Sequence, residues 1–363
     1  MTINDLRLIV RLVRGDRAGA TPYLEGRQGA LDRLADAALL EGLAVVLIRA
    51  LPSLPPGVEI PDRRRDALES RRRLQAGRST AILDALASLA ATFSAASQPF
   101  LLLKGPYLAA RYYGDPDGRE FVDLDLLVPG ADRARAWRLL ESAGYRRRSR
   151  VLGGERLTSL FVHGFDFANG NASVDLHWQL MRHPSVRMDE RRLWSEHDQY
   201  PVGGTPFGVL STGHEVVFQA LSLLRDIERG RPKSKNVVDL VQVVAASDDT
   251  MDWEALFERG RADGTLGPMV NVLSLCLGAA DAGDLAPRLS RTLGRRASRL
   301  VSARPTDQPG RFEPAWMDAG NRWWAARAYD TTPLAWLLWW GASLPFRMAV
   351  HRHHAPARTR RPD

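Results

Sequence analysis

Residues 100–128, FLLLKGPYLAARYYGDPDGREFVDLDLLV, constrain the fold of this chain more tightly than any other stretch. The apolar run at 100–103 has the length of a short buried strand. Lys104 and Gly105 follow. Pro106 then opens an apolar and aromatic segment through residue 113, as proline does in the first turn of a helix. A turn rich in Gly, Asp and Pro separates this segment from a second strand-like run at 121–128. The pattern predicts strand, tight turn, short helix, loop and strand.

The second run carries Asp123 and Asp125. Side chains on a strand alternate between its faces, so these two carboxylates are expected to point the same way. Like charges on one face repel, and burying both is costly without a compensating cation. A divalent metal is the simplest cation that would serve. Asp175 is a third carboxylate on a strand-like run at 172–180, with His177 on the same face two residues later. If the two strands are neighbours, three acids converge. Two would hold metal on a triphosphate, and the third would complete a second metal site or take a proton. Lys104 and Gly105 sit where a strand turns into a helix, so free N–H groups and the helix dipole favour a phosphate there. Arg119, four residues before Asp123, has the fork geometry for a bidentate phosphate contact.

Each feature has a plainer alternative. Lys104 could cap its strand or pair with a surface acid, and Arg119 could be a loop arginine. His177, beside Trp178, could be a packed core histidine. A lone D-x-D also arises by chance among 42 acidic residues. Asp175 is harder to set aside, because an unpaired carboxylate in an apolar strand is unfavourable. The order of the features carries more than any one of them.

Upstream, residues 28–52 show apolar positions at three- and four-residue spacing and predict an amphipathic helix. Pro55-Pro56-Gly57 breaks it, and a second helical region follows, with arginine clusters at 63–65 and 71–73. These clusters read as solvated helix faces, with a phosphate-binding face as the alternative. Downstream, a helix is expected over 131–144, closed by Gly144. Runs at 160–168 and 172–180, joined by Asn169-Gly170-Asn171, predict a hairpin. Beyond about residue 205 the strand signals fade. Four helices are expected there, the first capped by Ser211 or Thr212 with Glu215 following. The expected divisions are an N-terminal helical region (1–95), a catalytic core (96–204), a C-terminal helical region (205–310), and a Trp-rich segment with a basic tail (311–363).

Net charge is +8 and the pI about 10.1, which permits an anionic partner without identifying one. Of the 50 basic residues only Lys104, Lys233 and Lys235 are lysines. GC-rich coding produces such an arginine bias, so the basic surface is weak ground for a nucleic-acid partner, and a lysine at 104 stands out. The single cysteine, Cys276, lies in an apolar run. It excludes a disulfide framework and a cysteine metal site. Charges interrupt residues 1–17 too often for a signal peptide, and cytoplasm is the default compartment. Five of ten tryptophans lie in 323–340. Residues 333–346 are almost uncharged but too short for a membrane span. They read as a packed helix, with a membrane-surface or protein contact through 323–350 as the alternative.

The run LLLKG, Arg119, DLDLLV, a helix ending in Gly144-Tyr145 and then VDLHW resembles the uncharacterised nucleotidyltransferase family within the DNA polymerase β-like superfamily. The resemblance is best over 96–180 and extends more loosely to the helix around Asp239. It implies an α+β fold, a polymerase β-like core with a small mixed sheet flanked by helical regions. It implies Mg²⁺ dependence, with two ions, and transfer of a nucleoside monophosphate from an NTP such as ATP to an unidentified small molecule, peptide or protein, in a natural-product or sugar pathway. On this resemblance Asp123, Asp125 and Asp175 are the catalytic and metal-binding residues, and Lys104, Gly105, Arg119 and His177 bind nucleotide. The turn reads Lys-Gly where better-known relatives carry Gly-Ser. That departure keeps open an inactive nucleotide-binding or partner-binding module of the same fold.

Overall fold

Seven short strands form one mixed sheet in the computed structural model, which describes residues 1–24, 29–149, 154–229, 232–296, 329 and 333–351. They are β1 (Leu101–Leu102), β2 (Leu124–Leu127), β3 (Arg146–Arg147), β4 (Gly164–Ala168), β5 (Ser173–His177), β6 (Asp198–Val202) and β7 (Thr205–Val209). Their spatial order is β3-β4-β5-β2-β1-β7-β6. β2 runs antiparallel to β1 and parallel to β5, while β1 runs parallel to β7. This small mixed sheet among many helices is the α+β fold expected.

Alternation along the strands divides the two faces. Leu102, Leu124, Leu126, Val174 and Leu176 join the main hydrophobic core. Leu101, Leu103 and Leu127 point the other way and meet Leu180, Leu193, Leu210 and Phe218 in a smaller cluster. Asp125 shares that second face with Leu127, because the two are two positions apart. The acids therefore lie on the thinly covered side of the sheet.

The strand–helix–strand unit forms where predicted. Its helix spans Pro106–Tyr113 and ends at Gly114 in the left-handed conformation. β2 is shorter than the run at 121–128, and Asp123 falls one residue before it. The 160–168 run is also trimmed, since a helical turn (Glu155–Thr158) precedes β4. β4 and β5 form the expected hairpin, and the Asn169 side chain accepts from the backbone N–H groups of Asn171 and Ala172. The amphipathic region at 28–52 is broken at Gly42 into Ala30–Glu41 and Ala44–Ala50. The charged region after it is one 34-residue helix, Asp62–Ala95. Only a stripe including Ile82, Leu86, Leu89 and Phe93 is buried along its second half.

The hairpin of β6 and β7 lies where strand signals were expected to end. β7 extends the central sheet because β1 offers it an apolar edge at Leu102. The capping box at the next helix, Thr212–Glu228, does not form. Ser211 Oγ sits 2.8 Å from His214 Nδ1, and Glu215 is buried and bonded to Gln219. The helices Ser234–Ser247, Trp253–Asp263 and Leu266–Ala280 follow, with Cys276 buried in the last. The N-terminal helix Ile3–Val13 closes on this region, where Arg7 donates to the Ala279 carbonyl and Arg11 pairs with Asp284.

A final helix spans Pro333–His351 and runs through Pro345. Trp339 and Phe346 stack on Phe161 with ring centroids 5.6 and 4.4 Å away. Among the described residues no helix is long and apolar enough to cross a membrane. Trp323, Trp324 and the basic tail from 352 lie outside the described residues.

Candidate active site

The register of β2 against β5 pairs Asp125 with Asp175. In adjacent parallel strands such partners point to the same face, so the two carboxylates are neighbours. Leu127 pairs with His177 in the same ladder, and His177 Nε2 comes back to within 3.2 Å of Asp125 Oδ1. One ligand atom from each of Asp125, Asp175 and His177 lies within 4.8 Å of the others. His177 Nδ1 is buried without a hydrogen bond and faces Gly164, where an added Cβ would come within 3.3 Å. The His163 ring stacks on His177 with centroids 5.5 Å apart.

Asp123 stands beside this group and not within it, because it precedes the strand. Its charge still acts on the cluster. Burial, and then the Asp125 charge, push the Asp123 carboxyl up to about 6, against the pull of Lys235, Lys233 and Lys104. Burial followed by Asp166, Asp123 and Asp125 pushes Asp175 well above the usual carboxylate range. Burial also works to raise Asp125, yet the hydrogen bond and charge of His177, with Lys104 and Arg119 nearby, hold it below that range. The buried acids thus face one another with too little positive charge among them, a condition a cation relieves.

Gly105 has φ +62° and ψ −124°, a combination suited to glycine. A Cβ there would lie 3.2 Å from the Asp123 carbonyl oxygen, so this turn is pressed against the acidic strand. Lys104 reaches over the Phe218 ring, its Nζ 4.6 Å from the centroid. Desolvation lowers its pKa, with Asp125 as the main opposing charge.

Arg119 takes a different place from the phosphate contact expected of it. It is buried, and its guanidinium forms a fork with Asp239, Nε to Oδ1 at 2.7 Å and Nη2 to Oδ2 at 2.6 Å. Tyr113 also donates to Asp239, at 2.7 Å. Burial opposes the Arg119 charge, but Asp239 outweighs it and the pKa is raised. The Nε–Nη2 edge is taken by Asp239, and Nη1 donates to the Glu120 carbonyl at 3.3 Å. His177 likewise bonds to Asp125 and not to the Lys104–Gly105 turn expected to hold the nucleotide.

Three further groups belong to this neighbourhood. Asp166 pairs with Asp175 across the β4–β5 hairpin. Its alternation with Phe165 and Phe167 matches that of Asp175, so the Asn-Gly turn could have revealed it. Lys235 donates to the Glu120 carbonyl at 2.9 Å, and burial, ahead of Arg119, lowers its pKa to about 7. Lys233 is exposed at the start of the same helix. Their signal was rarity: with Lys104 they are the only lysines in the chain.

Comparison with curated proteins gives no match. Among solved structures, the chain is similar to the solution structure of the antibiotic-resistance factor ANT(2'')-Ia at 14% identity, over 52% of this chain and 91% of that one, with a TM-score of 0.36. A crystal structure of ANT(2'')-Ia in complex with adenylyl-2''-tobramycin matches at 13% identity over 49% and 94%, again with a TM-score of 0.36. A family model described as uncharacterised nucleotidyltransferase matches residues 28–277, which include every residue of the cluster. With most of its length matched, the chain belongs to the uncharacterised nucleotidyltransferase family.

Proposed function

We propose that the protein is a magnesium-dependent enzyme of the cytoplasm that moves a nucleoside monophosphate from an NTP to a hydroxyl or phosphate of a small molecule, peptide or protein. The observation that carries this reading is the register pairing of Asp125 with Asp175, with His177 bonded to the first. A divalent cation fits the donor set, because the carboxylates of Asp125 and Asp175 are paired in register on one face and repel each other. Magnesium prefers oxygen donors, so His177 is read as the residue that orients Asp125. Held there, a divalent ion supplies positive charge to the α-phosphate and to the attacking and leaving oxygens.

In this reading Asp123 and Asp125 are metal ligands. Asp175 is a further ligand, or the base that takes the acceptor's proton. The Lys104–Gly105 turn brings backbone and ammonium close to the phosphates, with Gly105 permitting the approach. Arg119 is a positioning residue that acts through Asp239.

The test is incubation with each of the four NTPs labelled at the α-phosphate, with Mg²⁺ and a cell extract as the source of acceptor. Label transfer by the wild type and its loss in Asp125→Asn and Asp175→Asn support the reading. Equal transfer by all three proteins contradicts it. Nucleotide binding without transfer or pyrophosphate release by the wild type points to the inactive module.

A further inference from the structure

The chain holds 47 arginines and three lysines, and the structure brings two of the three to the segment that leads into β2. Lys235 Nζ donates to the Glu120 carbonyl, and Gly105, the residue after Lys104, is pressed against the Asp123 carbonyl. The positive charges that bear most on Asp123 are those of Lys235, Lys233 and Lys104. They come from distant parts of the sequence. Lys104 lies at the turn after β1, and Lys233 and Lys235 flank the first residue of the helix Ser234–Ser247. Chance placement in an arginine-rich chain does not favour such a convergence.

None of the three makes an ion pair among the described residues, although the chain has 42 acidic side chains. Lys104 rests on the face of Phe218. Lys235 donates once, to the carbonyl of Glu120, three residues before Asp123. Lys233 is exposed. Arg119, in contrast, is consumed by Asp239 on the very helix that carries Lys233 and Lys235. That buried fork fastens the helix to the loop before β2 and so fixes where its two lysines stand. The ammonium group is a compact, mobile point charge with three donors, suited to a phosphate chain whose oxygens shift during reaction.

We propose that Lys233 and Lys235, with Lys104, form the polyphosphate-binding face of the site, holding the β- and γ-phosphates of the NTP in the role expected of Arg119. This rests on the nucleotidyltransferase reading and assigns the helical region a part in its substrate site. The site therefore discriminates for a triphosphate chain over a monophosphate or a nucleoside, whatever the base.

Calorimetric titration with inorganic tripolyphosphate, ATP and adenosine in Mg²⁺ tests this on the full chain, using wild type, Lys233→Ala, Lys235→Ala and Lys235→Arg. Loss of a charged hydrogen bond predicts about tenfold weaker binding of tripolyphosphate and ATP for each alanine, with adenosine unchanged and partial rescue by Lys235→Arg. Lys233 is exposed, so its alanine variant keeps the fold and reports even if Lys235→Ala does not fold. Wild type binding tripolyphosphate with Lys233→Ala and any folded Lys235→Ala matching it overturns this assignment alone. Equal loss for adenosine and ATP overturns it as well. Wild type binding neither ATP nor tripolyphosphate overturns the nucleotidyltransferase reading and this assignment with it.

Discussion

His177 Nε2 lies 3.2 Å from Asp125 Oδ1, although the strand register pairs His177 with Leu127 and Asp125 with Asp175. The imidazole reaches diagonally along the parallel ladder to hold the carboxylate of the neighbouring strand. A group that orients a metal ligand typically contributes 10- to 100-fold in affinity. His177→Ala is therefore expected to weaken Mn²⁺ binding by about 10- to 100-fold, measured by electron paramagnetic resonance titration. An unchanged affinity would assign His177 to packing against Phe218 and His163.

The Arg119–Asp239 fork is buried on both sides, with side-chain exposures of 4% and 1%. Removing one partner leaves the other charge buried and uncompensated. Arg119→Ala and Asp239→Ala are each expected to lower unfolding stability by about 3–5 kcal/mol in urea titrations. The double variant should lose less than the sum, because the two act as a unit. Additive losses would show that the pair is not coupled.

Gly105 holds a backbone conformation that disfavours a side chain, with the Asp123 carbonyl 3.2 Å from where a Cβ would stand. Gly105→Ala is expected to cost about 1–3 kcal/mol in thermal unfolding. It should weaken nucleotide binding more than Gly114→Ala does. Gly114 also has a positive φ, but nothing lies within 4 Å of an added Cβ there.

Glu215 is wholly buried, its Oε2 makes no hydrogen bond, and burial pushes its carboxyl from 4.5 up to about 7. In that window the folded protein holds a proton that the unfolded chain releases. Stability contributed by this group is present at low pH and is lost as pH rises from about 4.5 to about 7. Glu215→Gln should remove that dependence and exceed wild type in stability at pH 8, by at most on the order of 3 kcal/mol. Parallel stability–pH curves for the two proteins would contradict this.

The sequence made the catalytic half of the fold legible because its signals were local. The apolar run before Lys104-Gly105, Pro106 at the helix start and the Asn169-Gly170 turn each act within a few residues. Asp175 could be linked to the D-x-D strand only by supposing adjacency, which long-range pairing of β2 with β5 provides. Arg119 read as a phosphate ligand because its partner Asp239 lies 120 residues away, beyond any local pattern. The β6–β7 hairpin escaped notice for a similar reason, since its short half-exposed strands are set by the open edge of β1. Asp123 and Asp125 share a strand face in sequence, but the strand begins one residue later, and Asp123 stands beside the cluster.

The central claim is that Asp125 and Asp175 together create a cation site that serves a nucleotide. Mn²⁺ titration with and without a non-hydrolysable ATP analogue, on wild type, Asp125→Asn and Asp175→Asn, tests it most directly. The expected result is Mn²⁺ binding by the wild type that the analogue strengthens, lost by 100-fold or so in either variant as a charged ligand is removed. Equal Mn²⁺ affinity in all three proteins, or binding indifferent to the analogue, would contradict the account.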